Sequence, residues 1–166
     1  GAEEQKNILN TIADMLDMQS DIYERGTDRI STNCRMLAIS LQFSPRFDKL
    51  ISSAFIDEIE SASKLYDIGM LSVSEEITNK KTELTADEFE KIKEHTIAGA
   101  DYLKKINKDK NKNEYLEMAI DIAKYHHENW DGTGYPKGLS GMDIPLSARI
   151  VAVIDTYMAL NSDRSY

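Results

Sequence analysis

The segment from His126 to Pro145 reads HHENWDGTGYPKGLSGMDIP, so two adjacent histidines lead directly into a glycine-rich loop. Four of the eight glycines in the chain lie in this segment, at positions 132, 134, 138 and 141. Glycine is needed where the backbone takes a positive φ or passes close to another group. The spacing therefore predicts an ordered, irregular loop, which Tyr135-Pro136 is expected to stiffen.

Hydrophobic residues on both sides of this loop follow helical spacing. The apolar positions of residues 116–123 predict a helix that ends at His126, and residues 147–160 are almost continuously apolar, which predicts a central and buried last helix. Further helices are predicted over residues 3–24, around 30–41, from Ser44-Pro45 to about residue 65, and from the capping box of Thr85 and Glu88 onward. Because no strand-like alternation is present, the sequence predicts an all-α fold.

The bulk composition limits the classes of function. With 166 residues, 41% of them hydrophobic, the chain suits one domain with its own core, and it has no apolar run long enough to span a bilayer. A net charge of −9 argues against binding to polymeric nucleic acid, which needs a basic surface, but leaves small phosphate ligands open. The single cysteine, Cys34, excludes an internal disulfide and favours a reducing cytoplasm.

Histidine and aspartate side chains are the candidates for chemistry. The chain has three histidines, His95, His126 and His127. A lone histidine beside an apolar face is more often structural than a ligand, and that reading stays open for His95. Neighbouring helical residues point about 100° apart, so the adjacent pair reaches a common centre only at a helix end, where we expect it. Asp155, among apolar neighbours, carries a desolvation penalty unless it is paired, hydrogen-bonded or bound to a metal ion.

The pair His126-His127, the triplet Gly134-Tyr135-Pro136 and the segment from Ile144 to Asp155 resemble the HD-GYP family. Members of that family are bacterial metal-dependent phosphodiesterases that degrade cyclic di-GMP. The resemblance implies an all-α HD-superfamily helical bundle with a Gly-Tyr-Pro loop, formed here by residues 24–166. Residues 1–23 are then expected to form a connector helix to an upstream sensory module, and the further C-terminal helices of the family are expected to be missing.

The resemblance also implies a metal centre with two halves. The family's ligand positions for one ion are all retained, as Asp67, His95, His126 and His127. The positions for the other ion are Asp28, Tyr66, Asp67 and Asp155, with Glu24 matching a ligand that some members use for a third ion. The family has histidine where this chain has Asp28 and Tyr66, and lysine where it has Met70. The resemblance assigns catalysis to Asp67 and Asp155.

From these matches we expect one histidine-rich site that holds a divalent iron, manganese or zinc ion, and a second site that is altered or empty. Hydrolysis is then weak or lost, because the water that two ions would activate together is no longer activated. For the substrate, the resemblance implies a cyclic dinucleotide bound by the loop. The residues expected to contact it are Gly134, Tyr135, Pro136 and Lys137, with Arg164 as a second phosphate partner.

Two alternatives remain open at this point. The chain can be a non-catalytic signalling module that binds a cyclic dinucleotide or a partner protein, with the first helix transmitting its state. It can also be an active phosphodiesterase in which Asp28 and Tyr66 still complete a working site. A cytoplasmic location and assembly into a homodimer complete the expectations.

Overall fold

The computed structural model of the protein describes residues 1–19, 26–107 and 113–161. The described ranges contain seven α-helices and no β-strand, only an isolated bridge between Asp131 and Ser140, which confirms the all-α prediction. The helices are α1 (Ala2–Gln19), α2 (Thr27–Gln42), α3 (Ser53–Ala62), α4 (Glu75–Thr78), α5 (Ala86–Ile106), α6 (Glu114–Tyr125) and α7 (Leu146–Asn161). Three short 3-10 segments lie between them, at Ser63–Leu65, Ile68–Ser72 and Gly141–Asp143.

The core forms where α2, α3, α6 and α7 pack against one another. Its fully buried side chains include Ile30, Ile59, Leu116 and Val151. Burial of such a side chain contributes about 1.5–3 kcal/mol each. Helix α5 packs on α6 and on the 3-10 segment Ile68–Ser72, and α1 adds Leu9 and Ala13 to the same core. The boundary between residues 1–23 and 24–166 stays a prediction.

Two helix starts were predicted from local sequence, with different outcomes. The capping box at the start of α5 is confirmed, because the Thr85 hydroxyl accepts from Glu88 N at 3.2 Å and the Glu88 carboxylate accepts from Thr85 N at 2.8 Å. The start at Ser44-Pro45 is wrong. Ser44 opens only a short turn, and α3 begins eight or nine residues later, where Ser52 is extended and its hydroxyl accepts from Phe55 N at 3.0 Å.

Helix α7 has one buried face and one exposed face, so the prediction that it is central and buried is wrong. Its packing partners are mainly α2 and α6, which cover a single side. Val153 and Tyr157 are each 58% exposed and Leu160 is 80% exposed. Asp155 is only partly buried, so its desolvation penalty is smaller than expected.

Among the described residues, no helix combines the length and the apolar character needed to cross a membrane.

Candidate metal centre

Four side chains from separate parts of the chain converge on one point. One ligand atom from each of Asp67, His95, His126 and His127 lies within 4.8 Å of the corresponding atoms of the other three. Asp67 directly precedes the 3-10 segment Ile68–Ser72, His95 lies in the middle of α5, and His126 is the C-cap residue of α6. The adjacent histidines reach a common centre because the helix ends at this pair, as predicted from the sequence.

Gly69 allows the segment that carries Asp67 to lie directly on α5. A Cβ atom at this position would be 1.8 Å from the carbonyl oxygen of His95 and 2.6 Å from the backbone nitrogen of Gly99. Both are backbone atoms of a helix, so they cannot move aside as a flexible side chain can. This close approach places the Asp67 carboxylate beside His95.

The orientations of His95 and His126 are fixed by backbone carbonyls of the preceding turn. Nδ1 of His95 is 2.5 Å from the oxygen of Ile92, and Nδ1 of His126 is 2.9 Å from the oxygen of Ile122. Because a carbonyl only accepts, each Nδ1 carries a proton and donates it. In the neutral rings, each Nε2 then offers a lone pair, and these atoms lie 3.2 and 3.3 Å from Oδ1 of Asp67.

The Nε2 atoms of His95 and His126 are buried, and the described residues give neither of them a hydrogen bond of good geometry. A buried polar atom without a partner costs about 1–3 kcal/mol, so such atoms need an explanation. Three imidazoles and one carboxylate form a nitrogen-rich ligand set that suits zinc, iron or manganese. These residues therefore fit a divalent transition metal ion.

The charges of the cluster are strongly coupled. Burial alone would raise the pKa of Asp67, but the close ring nitrogens of His126 and His95 and their positive charge outweigh it and hold the pKa well below its usual range. Burial alone would lower the pKa of His95, but Asp67 outweighs it and raises the pKa above the ordinary value. Since a metal ion needs a neutral imidazole, protonation of His95 competes with metal binding.

Glu128 holds the loop that follows the histidine pair, and the sequence reasoning missed it. Its carboxylate is buried, with 3% of the residue exposed, and accepts hydrogen bonds from the backbone nitrogens of Lys137 at 2.6 Å and Leu139 at 2.9 Å. Glutamate in a polar loop gives no periodic signal. Its place directly between the histidines and the glycines was the one available hint.

The glycines of the loop confirm the prediction of an ordered, irregular conformation. Gly132, Gly138 and Gly141 have φ values of +81°, +68° and +56°. Gly134 is required for a different reason, because a Cβ atom there would lie 2.4 Å from the carbonyl oxygen of His127. The peptide bond between Tyr135 and Pro136 is cis. The close approach of Gly134 to His127 shows that the loop is folded back onto the histidine pair.

Tyr135 packs directly on the metal centre. Its ring stacks on that of His127, with centroids 4.8 Å apart and an interplanar angle of 16°. The ammonium group of Lys93, from α5, lies 5.4 Å from the Tyr135 centroid. Tyr135 thus packs on one of the clustered histidines, in addition to the substrate contact predicted for it. Lys93 places a second cation near the loop besides the exposed Lys137.

The structure does not bring the remaining predicted ligands into the cluster. Asp28 forms an ion pair with Lys64, at 2.5 Å, and its side chain is 82% exposed. Tyr66 is buried, and its ring packs edge-on against His126 with centroids 5.3 Å apart. Asp155 is not one of the four clustered residues, although its charge contributes to the raised pKa of His95. Their ligand roles stay predictions.

Glu24 and Arg164, predicted as a metal ligand and a phosphate partner, lie outside the described residues. Met70, where the family has lysine, lines a cleft next to Asp67.

The fold and the site together define an all-α domain with a histidine–aspartate cluster suited to a divalent metal ion. Residues 10–166 match the model of the HD domain family. The chain therefore belongs to the HD domain family, and the resemblance to HD-GYP proteins is confirmed by relatives that are cyclic di-GMP phosphodiesterases.

Three relatives illustrate the similarity. A cyclic di-GMP phosphodiesterase of Thermotoga maritima is 36% identical over 96% of this chain, which covers 39% of that protein. A cyclic di-GMP phosphodiesterase of Vibrio cholerae is 38% identical over 80% of this chain, covering 27% of the relative. The 3'3'-cGAMP-specific phosphodiesterase 2 of Vibrio cholerae is 31% identical over 99% of this chain, covering 29% of the relative. The chain thus spans less than two fifths of each relative.

Proposed function

We propose that this chain is a metal-dependent phosphohydrolase domain that binds a cyclic dinucleotide, with cyclic di-GMP as the first candidate, and that its hydrolysis is weak or lost. The observation that carries the proposal is the convergence of Asp67, His95, His126 and His127 within 4.8 Å, with two buried imidazole Nε2 atoms that face the Asp67 carboxylate and lack a hydrogen bond of good geometry among the described residues. The names of the relatives support the choice of ligand.

The residues of the chain have distinct roles in this proposal. Asp67, His95, His126 and His127 hold one iron, manganese or zinc ion, which when bound would supply a Lewis acid for a phosphate oxygen and for water. Glu128 keeps the loop closed over the centre by binding its backbone. Tyr135 holds His127 in place and presents an aromatic surface beside the ion.

The other predicted contacts belong to the same proposal. Gly134, Pro136 and Lys137 would complete the substrate loop, with Arg164 as a further phosphate partner. Asp155, Asp28 and Glu24 would occupy the ligand positions of further ions, and in this proposal those positions are altered or empty. The domain would act in the cytoplasm, as a homodimer controlled by an upstream sensory module.

Weak hydrolysis is supported by the environment of the replaced residues. Asp28 is paired with Lys64, and the Tyr66 ring packs on His126. Neither supplies the imidazole that the family has at its position. The replacement of both imidazoles also favours the second candidate function, a non-catalytic module that binds a cyclic dinucleotide and transmits the bound state.

One experiment tests the proposal and separates the two candidates. The purified chain is loaded with Mn²⁺, and cyclic di-GMP is added in a calorimeter while hydrolysis is followed by chromatography. Binding with slow or absent turnover is expected, and His126→Ala should abolish both the metal and the ligand binding. Turnover as fast as ordinary enzymes, with kcat near 10 s⁻¹, would contradict the loss of hydrolysis, and absence of binding would contradict the ligand assignment.

A further inference from the structure

A cleft of about 410 Å³ adjoins the metal centre and shares Asp67 with it. Helix α1, the start of α2, residues 64–73 and α4 form its walls. Oδ1 of Asp67 faces His95 and His126, so the same carboxylate belongs to both the cluster and the cleft wall. A ligand in the cleft would therefore reach the metal centre at Asp67.

The cleft is acidic on the side formed by α1. Asp17 lines it and accepts a hydrogen bond from the backbone nitrogen of Thr27. The Thr27 hydroxyl donates to Asp14. Burial raises the pKa of Asp17, and the negative charges of Asp14 and Asp67 raise it further. Asp17 and Asp67 both line the cleft, so a cation bound there would be stabilised by their carboxylates.

Lys64 supplies a cation in this cleft. It lies in the 3-10 segment Ser63–Leu65, three residues before Asp67 in the sequence. Both residues line the cleft. The Lys64 side chain is only 18% exposed although that of its partner, Asp28, is 82% exposed. The Lys64 side chain thus lines the cleft, and its ammonium group pairs with an exposed carboxylate.

We infer that the Lys64 ammonium is the second cation of the site, standing in for a second divalent ion and contacting a phosphate oxygen of the bound phosphodiester. The inference rests on the proposed function, because it presupposes one ion at the histidine cluster. An ammonium group donates charge-assisted hydrogen bonds to phosphate. It does not lower the pKa of a bound water as a metal ion does. The site therefore retains phosphate affinity while it loses the water activation that hydrolysis needs.

The inference has a direct consequence for metal binding. The positive charge of Lys64 neutralises Asp28 and repels a divalent ion from the carboxylates of the cleft. Removal of that charge should free Asp28, Asp67 and Asp17 for a second, weaker ion with oxygen ligands, the kind that Mn²⁺ accepts.

The test compares Lys64→Met with Lys64→Arg, with Lys49→Met as a matched control at an exposed lysine. Mn²⁺ stoichiometry is measured by calorimetry and by electron paramagnetic resonance, and the affinity for cyclic di-GMP is measured with one equivalent of Mn²⁺ present. The wild-type chain, Lys64→Arg and Lys49→Met are expected to bind one ion. Lys64→Met is expected to bind two, and to bind cyclic di-GMP about tenfold more weakly at one equivalent.

Circular dichroism establishes that each variant is folded, and Lys64→Gln replaces Lys64→Met if the latter is not. The inference is overturned if Lys64→Met binds only one ion, or if it binds cyclic di-GMP as tightly as the wild-type chain. It is also overturned if the wild-type chain binds two ions. A wild-type chain that binds no Mn²⁺ overturns the proposed function as well. A wild-type chain with one ion and an unchanged Lys64→Met overturns the present inference alone.

Discussion

Replacement of Glu128 by glutamine tests how the loop is held against the metal centre. The buried carboxylate accepts two backbone hydrogen bonds, from Lys137 at 2.6 Å and Leu139 at 2.9 Å. Glutamine keeps the shape of the side chain, but its amide nitrogen can only donate, so it faces one of the two N–H groups without bonding to it. One charge-assisted bond is lost, the other becomes neutral, and a buried donor is left without a partner.

Hydrogen bonds to charged groups contribute about 1.5–3 kcal/mol each, so the expected loss for Glu128→Gln is about 2–4 kcal/mol. For a domain of this size, about 1 kcal/mol shifts the Tm by roughly 2–4 °C, which predicts a Tm lower by roughly 5–15 °C. The wild-type free energy of unfolding should be about 5–15 kcal/mol, so the variant should still fold. Since Tyr135 in this loop stacks on His127, metal affinity should fall together with loop stability.

The assay combines thermal unfolding with amide hydrogen exchange at Lys137 and Leu139. Both amides should exchange slowly in the wild-type chain and much faster in Glu128→Gln, whereas Glu83→Gln, at an exposed glutamate, should change neither quantity. Unaltered exchange at these two amides together with a Tm within about 1 °C of wild type would refute the anchoring role of Glu128.

Three further predictions follow from the same contacts. Gly69→Ala should lower the free energy of unfolding in urea by at least ~3 kcal/mol, because its Cβ would lie 1.8 Å from the carbonyl oxygen of His95. Gly26→Ala is the control, since its Cβ meets nothing within 4 Å and should change the stability little, and equal stabilities of the two variants would contradict this packing. Because the pKa of His95 is raised, its pair with Asp67 stabilises the metal-free fold fully below the unfolded pKa of 6.5, and this contribution is lost as pH rises through the folded pKa. The affinity for Mn²⁺ should rise over the same pH range, with release of protons, and a pH-independent affinity in calorimetry would exclude this coupling between metal binding and protonation of His95. Burial raises the pKa of the Cys34 thiol to about 12, so a thiol reagent at pH 8 should label it only in denaturant, and rapid labelling of the native chain would show that the thiol is accessible.

Features that depend on neighbouring residues in the sequence could be predicted. The capping box of Thr85 and Glu88 is a local pattern, and it starts a helix in the structure as expected. The positive φ values in the 126–145 loop follow from the glycine spacing in the same way. Ser44-Pro45 has an equally strong local signal but opens only a turn, because Ile51 is buried and Ser52 restarts the chain as an extended N-cap. Tertiary packing overrides local preference there.

Features that depend on contacts between distant segments could not be predicted from the residues alone. The resemblance identified the four clustered residues, but not Gly69, whose missing side chain lets two segments meet. In the sequence, Lys64 has no feature that separates it from other helical lysines, and only the fold shows that it lines a cleft with Asp67. The exposed face of α7 was also missed, since a continuous apolar run does not reveal how many sides of a helix are covered.

Three imidazoles and one aspartate are proposed to bind a single ion. X-ray absorption spectroscopy of the zinc-loaded chain, combined with elemental analysis, tests this most directly, because it reports both the ligand types and the number of ions. One zinc ion per chain is expected, with three nitrogen ligands near 2.0–2.1 Å and at least one oxygen ligand. A chain that retains no zinc, or a bound ion without imidazole ligands, would contradict it.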